Sequence, residues 1–260
     1  MSDAIDGFLA ASLDGVRSHV REKYTAWRDL LLRVNRLAVA SQHSIDIHTD
    51  SNVERYSAVL YARTLTTTQA SILLLEIGLV SQARILLRSA LETLFALGAI
   101  AKDQNVVDNL VEGHAAEQKR AARNIELWQH SELKKIADAE RASGRLQSIL
   151  NSSGTALSTF DLAQKAGLED WYRTVYMVFS WPVHGAGVDL NRHVVVGEDG
   201  NTTEFRNEPE VDGQESSWMC AVEVLLKAIQ ALAAVFSNVD QGPIEKHYAD
   251  AQRLAAQIAG

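Results

Sequence analysis

Apolar residues recur at steps of three and four along most of this chain of 260 residues. Between Phe8 and Ala38 they keep this spacing through about eight helical turns, which places them on one face of an α-helix. Only three prolines occur in the whole chain, so few positions force a break in a helix. The pattern therefore predicts an all-α fold, a multi-helix bundle in which each helix buries one apolar face.

Two helical patterns meet at a glycine and predict an antiparallel αα-hairpin at the centre of this bundle. The first pattern covers residues 52–77 and the second covers residues 80–102, with Gly78 between them. A connection this short leaves two helices side by side and antiparallel. Ser51 followed three residues later by Glu54 fits a capping box at the start of the first helix.

Further helical patterns flank the hairpin on both sides. Residues 1–42 predict one long helix or two consecutive helices, and Gly15 is a position that allows a break. Residues 106–142 carry a narrow apolar stripe among many charges, which is typical of an outer helix.

Two shorter helices are predicted in the second half of the chain. Ser158 is a suitable N-terminal cap for a helix over residues 160–166, and Gly167 is a suitable stop. A second helix over residues 170–180 ends before Pro182, since the ring of a proline disfavours helical geometry at the preceding residue.

One strand signal interrupts the helical patterns. The segments HVVV and TTEF flank the turn GEDGN and predict a small β-hairpin insertion at residues 193–206. No low-complexity linker divides the chain, so we expect a single domain over residues 1–260. In this domain the N-terminal segment 1–42 and the closing helices of 217–259 flank a bundle core over residues 52–180.

Charge and composition exclude several classes of protein. The formal charge of −8 argues against broad attraction to nucleic acid or to an anionic membrane. A single cysteine, Cys220, cannot form an internal disulfide, and the acidic start MSDAID does not have the pattern of a signal peptide. The apolar segments 70–80 and 218–239 fit buried helices better than membrane spans. We expect a cytoplasmic protein with no membrane association.

Polar side chains interrupt the apolar faces of the hairpin in two stripes. On the second helix, Arg84, Arg88 and Glu92 follow one another at steps of four, which places them in one line. The stripe on the first helix comprises Thr66, Gln69 and Glu76. An antiparallel pairing brings Glu76 towards Arg84, Gln69 towards Arg88 and Thr66 towards Glu92, so we expect the two stripes to face each other.

A third stripe lies on the helix over residues 170–180 and comprises Tyr172, Tyr176, Ser180 and His184. If the three stripes converge, they form a polar pocket inside the bundle. In such a pocket either arginine of the first stripe could hold an anion, and His184 could transfer a proton.

A purely structural interpretation of the same residues stays open. Arg88 and Glu92 have the spacing of an ion pair within one helix. Tyrosine and serine hydroxyls at helix interfaces are often satisfied by the backbone. The stripes therefore support two hypotheses, a structural network or a ligand pocket.

The elements RSALE, at 88–92, and YRTVYMVFSWPVH, at 172–184, resemble those of an uncharacterised family of all-helical bacterial proteins. That family has an R-x-x-x-E element and a Y-x-x-x-S-x-x-x-H element, and the resemblance covers residues 55–237. It implies no activity. It implies only that Arg88, Glu92, Tyr176, Ser180 and His184 are the residues to test.

A more distant similarity is to the HEPN superfamily of helical domains, many of which are ribonucleases of toxin and phage-defence systems. This similarity implies an arginine and a histidine separated by four to six residues, a pattern that Arg123 and His130 satisfy. On a continuous helix the two residues lie on one face. This suits either a catalytic pair or an exposed stripe, and a solvated helix face is the favoured interpretation.

Two functional hypotheses follow from the sequence. The first is a pocket that binds an anionic small molecule or RNA, and a strip of net charge +4 over residues 17–36 is the local surface that could meet phosphates. The alternative is a non-enzymatic scaffold that forms a homo-oligomer through its N-terminal helix. Whether the protein is an enzyme is left open. No metal-ligand spacing or nucleotide-binding motif is present, so we expect neither metal nor cofactor.

Overall fold

Helices carry most of the regular structure of this protein. The computed structural model describes residues 8, 13–48, 50–127, 135, 138, 156–184, 187–198, 200–205 and 208–257. In chain order the elements are α1 (Leu13–Lys23), α2 (Thr25–Ser44), α3 (Asn52–Glu76), α4 (Val80–Lys102), α5 (Val106–Leu127), α6 (Thr159–Ala166), α7 (Glu169–Trp171, continued through a π-helical turn, Tyr172–Tyr176, to Met177–Ser180), α8 (Gly187–Leu190), β1 (Val194–Val196), β2 (Thr202–Phe205), α9 (Glu215–Ala233) and α10 (Ile244–Ala256). The predicted all-α bundle with a small β-hairpin is confirmed.

The αα-hairpin is formed by α3 and α4, which make the most extensive helix contact in the fold. Gly78 connects them with a φ of +76°, a left-handed conformation that glycine adopts without a steric cost. The backbone N–H groups of Gly78 and Leu79 donate to the carbonyls of Leu75 and Leu74 at 3.0 and 2.9 Å. These bonds close the end of α3 and turn the chain back along it.

The buried face of α3 carries small hydroxyl side chains at helical spacing. The hydroxyls of Thr68 and Ser71 donate to carbonyls of their own helix at 2.8 and 2.7 Å, so they are satisfied without a distant partner. The hydroxyls of Thr64 and of Thr93 on α4 lie 2.8 Å apart. Short, satisfied side chains let the neighbouring helices approach this face closely.

The N-terminal segment forms two helices, and the break lies at Tyr24 instead of Gly15, which is inside α1. Tyr24 is buried, and its ring stacks on Trp218 of α9 at a centroid distance of 6.0 Å. Its hydroxyl accepts a hydrogen bond from the backbone N–H of Gln214 at 3.2 Å. Packing against α9 therefore places the break at the aromatic residue, and Gly15, where the sequence allowed a break, lies inside a helix.

The helix α9 is central, because it packs against α2, α3, α4 and α10. It is long and apolar enough to cross a membrane by length and composition, but 67% of its most apolar stretch is buried inside the fold. Trp218 is fully buried, and its indole N–H donates to the Gln214 side chain at 3.0 Å. A core helix of this kind has the same composition as a membrane span.

The predicted helix caps are formed, except that the capping box at Ser51 is incomplete. Ser158 forms a complete capping box with Asp161, and Gly167 ends α6 in the left-handed conformation. At the start of α3, Ser51 accepts the backbone N–H of Glu54, but the Glu54 carboxylate binds His48 instead of returning to Ser51. This second box is therefore half formed.

The β-hairpin pairs β1 with β2 in antiparallel orientation, with Val194 opposite Phe205. Both strands lie within the predicted residues 193–206. The helix α5 begins at Val106 as expected, and it is described as far as Leu127. The rest of its predicted course, to residue 142, lies outside the described residues except for the helical positions 135 and 138.

The basic strip at residues 17–36 is largely paired with carboxylates. The ion pairs are Arg17 with Asp14, Arg21 and Arg28 with Glu76, Lys23 with Asp212, and Arg33 with Asp250. Most of the strip's positive charge is therefore compensated within the protein, and its attraction for phosphates is reduced.

Candidate functional site

The side chain of Arg88 is the point at which α4 meets α7. Its Nε donates to Ser180 Oγ at 2.9 Å, and its Nη2 donates to Tyr176 Oη at 2.7 Å. The same Nη2 lies 3.1 Å from Oε1 of Glu92, one turn further along α4. The predicted convergence of the first and third stripes is therefore present for these four residues.

Tyr176 closes this network. Its hydroxyl donates to Glu92 Oε1 at 2.8 Å, and the guanidinium carbon of Arg88 lies 4.8 Å from the centre of its ring. Burial, reinforced by the Glu92 acceptor, raises the pKa of Tyr176 to about 12. The phenol therefore stays protonated at neutral pH and acts as a donor between a cation and a carboxylate.

The local fold of α7 supports this position of Tyr176. Residues Tyr172–Tyr176 form a π-helical turn, a wider turn that often occurs at functional sites. The rings of Tyr172 and Tyr176 stack at 4.8 Å, and Phe95 of α4 packs against Tyr176 at 5.9 Å. The Ser180 hydroxyl, which accepts from Arg88, donates to the Tyr176 carbonyl at 2.7 Å.

Glu76 does not face Arg84, so the expectation that these two residues meet is wrong. The buried Glu76 carboxylate accepts two hydrogen bonds from Arg21, at 3.0 and 2.6 Å, and one from Arg28 at 2.8 Å. It therefore lies on the side of α3 that meets the N-terminal helices. A residue one position away from the α4 contact is rotated by about 100° about the helix axis and already points to a different neighbour.

The rest of the second stripe also lies away from the polar network. Gln69 donates from Nε2 to Asn35 Oδ1 on α2 at 2.9 Å. Thr66 is exposed, and its hydroxyl donates to the Ala62 carbonyl of its own helix at 2.9 Å. The expected approach of Gln69 to Arg88, and of Thr66 to Glu92, is therefore wrong. Thr64, on another face of α3, contacts α4 through Thr93.

Arg84 holds the start of α9 instead of joining the network around Arg88. Its Nε donates to Ser217 Oγ at 3.2 Å, and its Nη2 approaches the Gly213 carbonyl at 3.5 Å. Its guanidinium carbon lies 5.8 Å from the ring centre of Phe179 on α7. Arg84 therefore connects three elements through contacts within the fold.

His184 lies outside the network. Its side chain is exposed in the turn after α7, and its backbone N–H donates to the Ser180 carbonyl at 3.3 Å. In the described part of the chain no hydrogen bond joins its ring to Arg88 or Glu92. Of the HEPN pair, His130 and the side chain of Arg123 lie outside the described residues.

Glu92 connects the network to a cavity of about 800 Å³ between α3, α4, α5 and α6. The wall formed by α3 carries Arg55, Val59 and Arg63. No hydrogen bond or ion pair joins the Arg63 guanidinium to another described residue. Neither arginine was recognised from the sequence, although each lies four residues from Val59, the same step that identified the stripe on α4.

The opposite wall of the cavity combines polar groups with an apolar surface. The polar groups of α5 are Asn109, His114 and Glu117, and the His114 ring contacts the Gln118 side chain at 2.8 Å. The apolar surface of this wall comprises Leu110, Leu157 and Leu162. This combination of an apolar surface with a few polar groups, at this volume, is typical of small-molecule sites.

We expect Tyr176→Phe to lower the free energy of unfolding by about 1 kcal/mol, because one donor to Glu92 and one acceptor for Arg88 are lost while their direct ion pair remains. Urea denaturation measures this change. Tyr172→Phe is the matched control, since its ring belongs to the same stack and its hydroxyl has no hydrogen bond to a described residue. Equal losses in the two variants would contradict a structural role for the Tyr176 hydroxyl.

Comparison with known proteins identifies a family. The model of a family described as "Family of unknown function (DUF5677)" matches residues 54–202, more than half of the chain. No curated protein and no solved structure matches. The predicted resemblance to an uncharacterised helical family is confirmed, although the match ends before α9, and the HEPN similarity and the two motifs are not confirmed. From the start of α3 to the start of β2, this chain belongs to DUF5677, a family of unknown function.

Proposed function

We propose that the protein binds a small anionic ligand in the cavity between α3, α4, α5 and α6. The observation that carries the proposal is the pair of arginines, Arg55 and Arg63, on one wall of a cavity of about 800 Å³. This volume lies within the range of small-molecule sites, which is roughly 300 to 1,000 Å³. The guanidinium group binds carboxylates and phosphates with two parallel hydrogen bonds.

The charge balance of the cavity favours an anion. Of its two carboxylates, Glu92 is already compensated by Arg88 and accepts a hydrogen bond from Tyr176. Glu117 on α5 is exposed, and Arg55 and Arg63 together outweigh its charge. The leucines of the opposite wall would contact an apolar or aromatic part of the same ligand.

RNA is a weaker candidate than a small molecule. The chain carries a net charge of −8, and the basic strip of residues 17–36 is largely paired with carboxylates. Tight RNA binding depends on uncompensated positive charge, because it releases counterions from several phosphates. The wall that carries Arg55 and Arg63 is too small to contact more than a few phosphates.

The alternative of a scaffold that dimerises through its N-terminal helix also loses support. The apolar face of α1 and α2 is buried inside the protein's own core, including Val20, Trp27, Leu31 and Val34. An apolar face that packs against α9 is not available to form a coiled coil with a second copy.

The proposal is tested by titrating the full chain with 1-anilinonaphthalene-8-sulfonate, an aromatic anion that fluoresces in apolar sites. We expect Arg63→Met to weaken binding about tenfold, since one charge-assisted hydrogen bond is lost. The control is Arg36→Met, which removes an exposed arginine of α2 outside the cavity. Equal affinity in the two variants would contradict the proposed site.

A ten-nucleotide oligouridylate, titrated in parallel, distinguishes the RNA hypothesis. We expect it to bind more weakly than the aromatic anion at physiological salt. Tighter oligouridylate binding that persists in Arg63→Met would overturn the proposal in favour of an RNA surface elsewhere on the protein.

A further inference from the structure

A second pocket, of about 330 Å³, opens between α4, α6 and α9. It shares no lining residue with the cavity described above. Its floor is apolar and includes Leu94, Gly98, Ala166, Leu168 and Ala231. The polar groups at its rim are Lys102, Lys227 and Gln230.

Small residues line the contact of α4 with α6 and the floor of the pocket beside it. A Cβ atom on Gly98 would lie 3.0 Å from the Cβ of Ala166, so the absence of a side chain at this position lets α6 approach α4 closely. Beside this contact, Ala101 and Ala231 leave the floor without long side chains to fill it. An apolar surface of this kind gains free energy when an apolar ligand covers it.

Lys227 lies between two aromatic rings. Its Nζ is 4.9 Å from the ring centre of Trp171 and 5.8 Å from that of Tyr248. No ion pair within 4 Å joins it to a described carboxylate. Glu223 lies one turn earlier on α9. Burial raises the pKa of its carboxyl group, and the positive charge of Lys227 opposes this only in part.

Lysines are the charged groups among the described residues that line this pocket. Gln230 is occupied, since its Oε1 accepts the Tyr248 hydroxyl at 3.0 Å. Lys102 is exposed in the last turn of α4, and no ion pair joins it to a described residue. Two ammonium groups at the rim of an apolar floor match an anionic head group on an apolar chain.

We propose that this pocket binds a linear alkyl carboxylate of medium length. The carboxylate pairs with Lys102 and Lys227, and the alkyl chain covers the floor formed by α4, α6 and α9. At roughly 30 Å³ for each water-sized group, the volume of about 330 Å³ accommodates a chain of about six to ten carbons. The site is independent of the Arg55–Arg63 cavity, and neither proposal depends on the other.

The test is calorimetric titration of the full chain with hexanoate, octanoate and octan-1-ol. Each buried methylene should strengthen binding about fourfold, so octanoate should bind about 15-fold more tightly than hexanoate. Lys227→Met keeps the length of the side chain and removes the charge, and we expect it to weaken octanoate binding about tenfold. Octan-1-ol, which carries no charge, should bind the wild-type protein more weakly than octanoate does. Its affinity should be the same for the wild type and for Lys227→Met.

The control is Lys165→Met, an exposed lysine of α6 that does not line the pocket. Ala234→Leu is a second variant, because Ala234 is exposed at the rim and its replacement blocks the pocket without entering the core. We expect it to abolish octanoate binding with an unchanged melting temperature.

Three outcomes would overturn the proposal. One is equal affinity for hexanoate and octanoate, and another is an equal effect of Lys165→Met and Lys227→Met. The third is octanoate binding that Arg63→Met removes and Lys227→Met leaves intact, which would assign the carboxylate to the larger cavity instead. That third result would leave the anion-binding function of the larger cavity standing.

Discussion

Gly78→Ala should lower the free energy of unfolding by about 2–5 kcal/mol. Gly78 has a φ of +76°, which costs an L-residue about 1–2 kcal/mol. A Cβ atom there would also lie 2.6 Å from Pro209 Cβ and 2.9 Å from the backbone nitrogen of Glu210. This overlap adds about 1–3 kcal/mol, because the segment must move away or the hairpin must open.

The contact of Gly78 with the segment before α9 is a hydrogen-bonded one, since the Glu210 N–H donates to the Gly78 carbonyl at 2.9 Å. Gly167→Ala is the matched control: Gly167 has a φ of +70°, and nothing lies within 4 Å of its added Cβ. We expect it to cost only the conformational penalty of about 1–2 kcal/mol. Urea denaturation of both variants measures the difference, and equal losses would contradict the importance of the Pro209 contact.

Glu76→Gln should lower the free energy of unfolding by about 2–3 kcal/mol. The Glu76 side chain is 5% exposed, and it accepts hydrogen bonds from Arg21 and Arg28. Glutamine removes the charge and one acceptor, and it turns an NH₂ group towards guanidinium donors. The loss stays below that of a fully buried ion pair, because the Arg21 side chain is 44% exposed.

The same carboxylate predicts a pH dependence. Burial by itself would raise the pKa of Glu76, but the hydrogen bonds from Arg21 and Arg28 outweigh it and hold this pKa below its ordinary value. A carboxyl group with a lowered pKa in the folded state stabilises the protein above its unfolded-state pKa, near 4.3, and loses that contribution as the pH falls further. The wild type and Glu76→Gln should therefore differ in stability at pH 7 and converge as the pH falls below about 4.

Glu22→Gln is the control for this variant, because Glu22 is an exposed carboxylate on α1, next to Arg21 in the sequence. We expect a change within about 0.5 kcal/mol at pH 7. A loss of unfolding free energy in Glu76→Gln as small as that of the control would show that the arginines find other partners. A difference in stability between the wild type and Glu76→Gln that stays constant with pH would contradict the charge of Glu76 as its origin.

Much of the fold could be predicted because it depends on local spacing. The hairpin of α3 and α4, the caps at Ser158 and Gly167, and the small β-hairpin all follow from residues close together in the sequence. The position of the break at Tyr24 could not be predicted in this way, because it depends on contacts with α9, almost 200 residues later.

The site was predictable only in part, for the same reason. The spacing of four residues placed Arg88 and Glu92 on one line of α4, and it placed Tyr176 and Ser180 on one line of α7. Which lines face each other depends on the rotation of each helix about its axis. An error of one position, or about 100°, is enough to send a side chain such as Glu76 to a different neighbour.

By itself, the sequence determined the class of fold, the order of the helices and the residues that share a helical face, because helical periodicity is a property of neighbouring residues. Only the tertiary structure decided that Glu76 binds the N-terminal arginines, that His184 is exposed, and that Arg55 and Arg63 line a cavity. These outcomes depend on how whole helices pack. Packing is set by the sum of many small contacts between residues distant in the chain, so it cannot be predicted from a local sequence pattern.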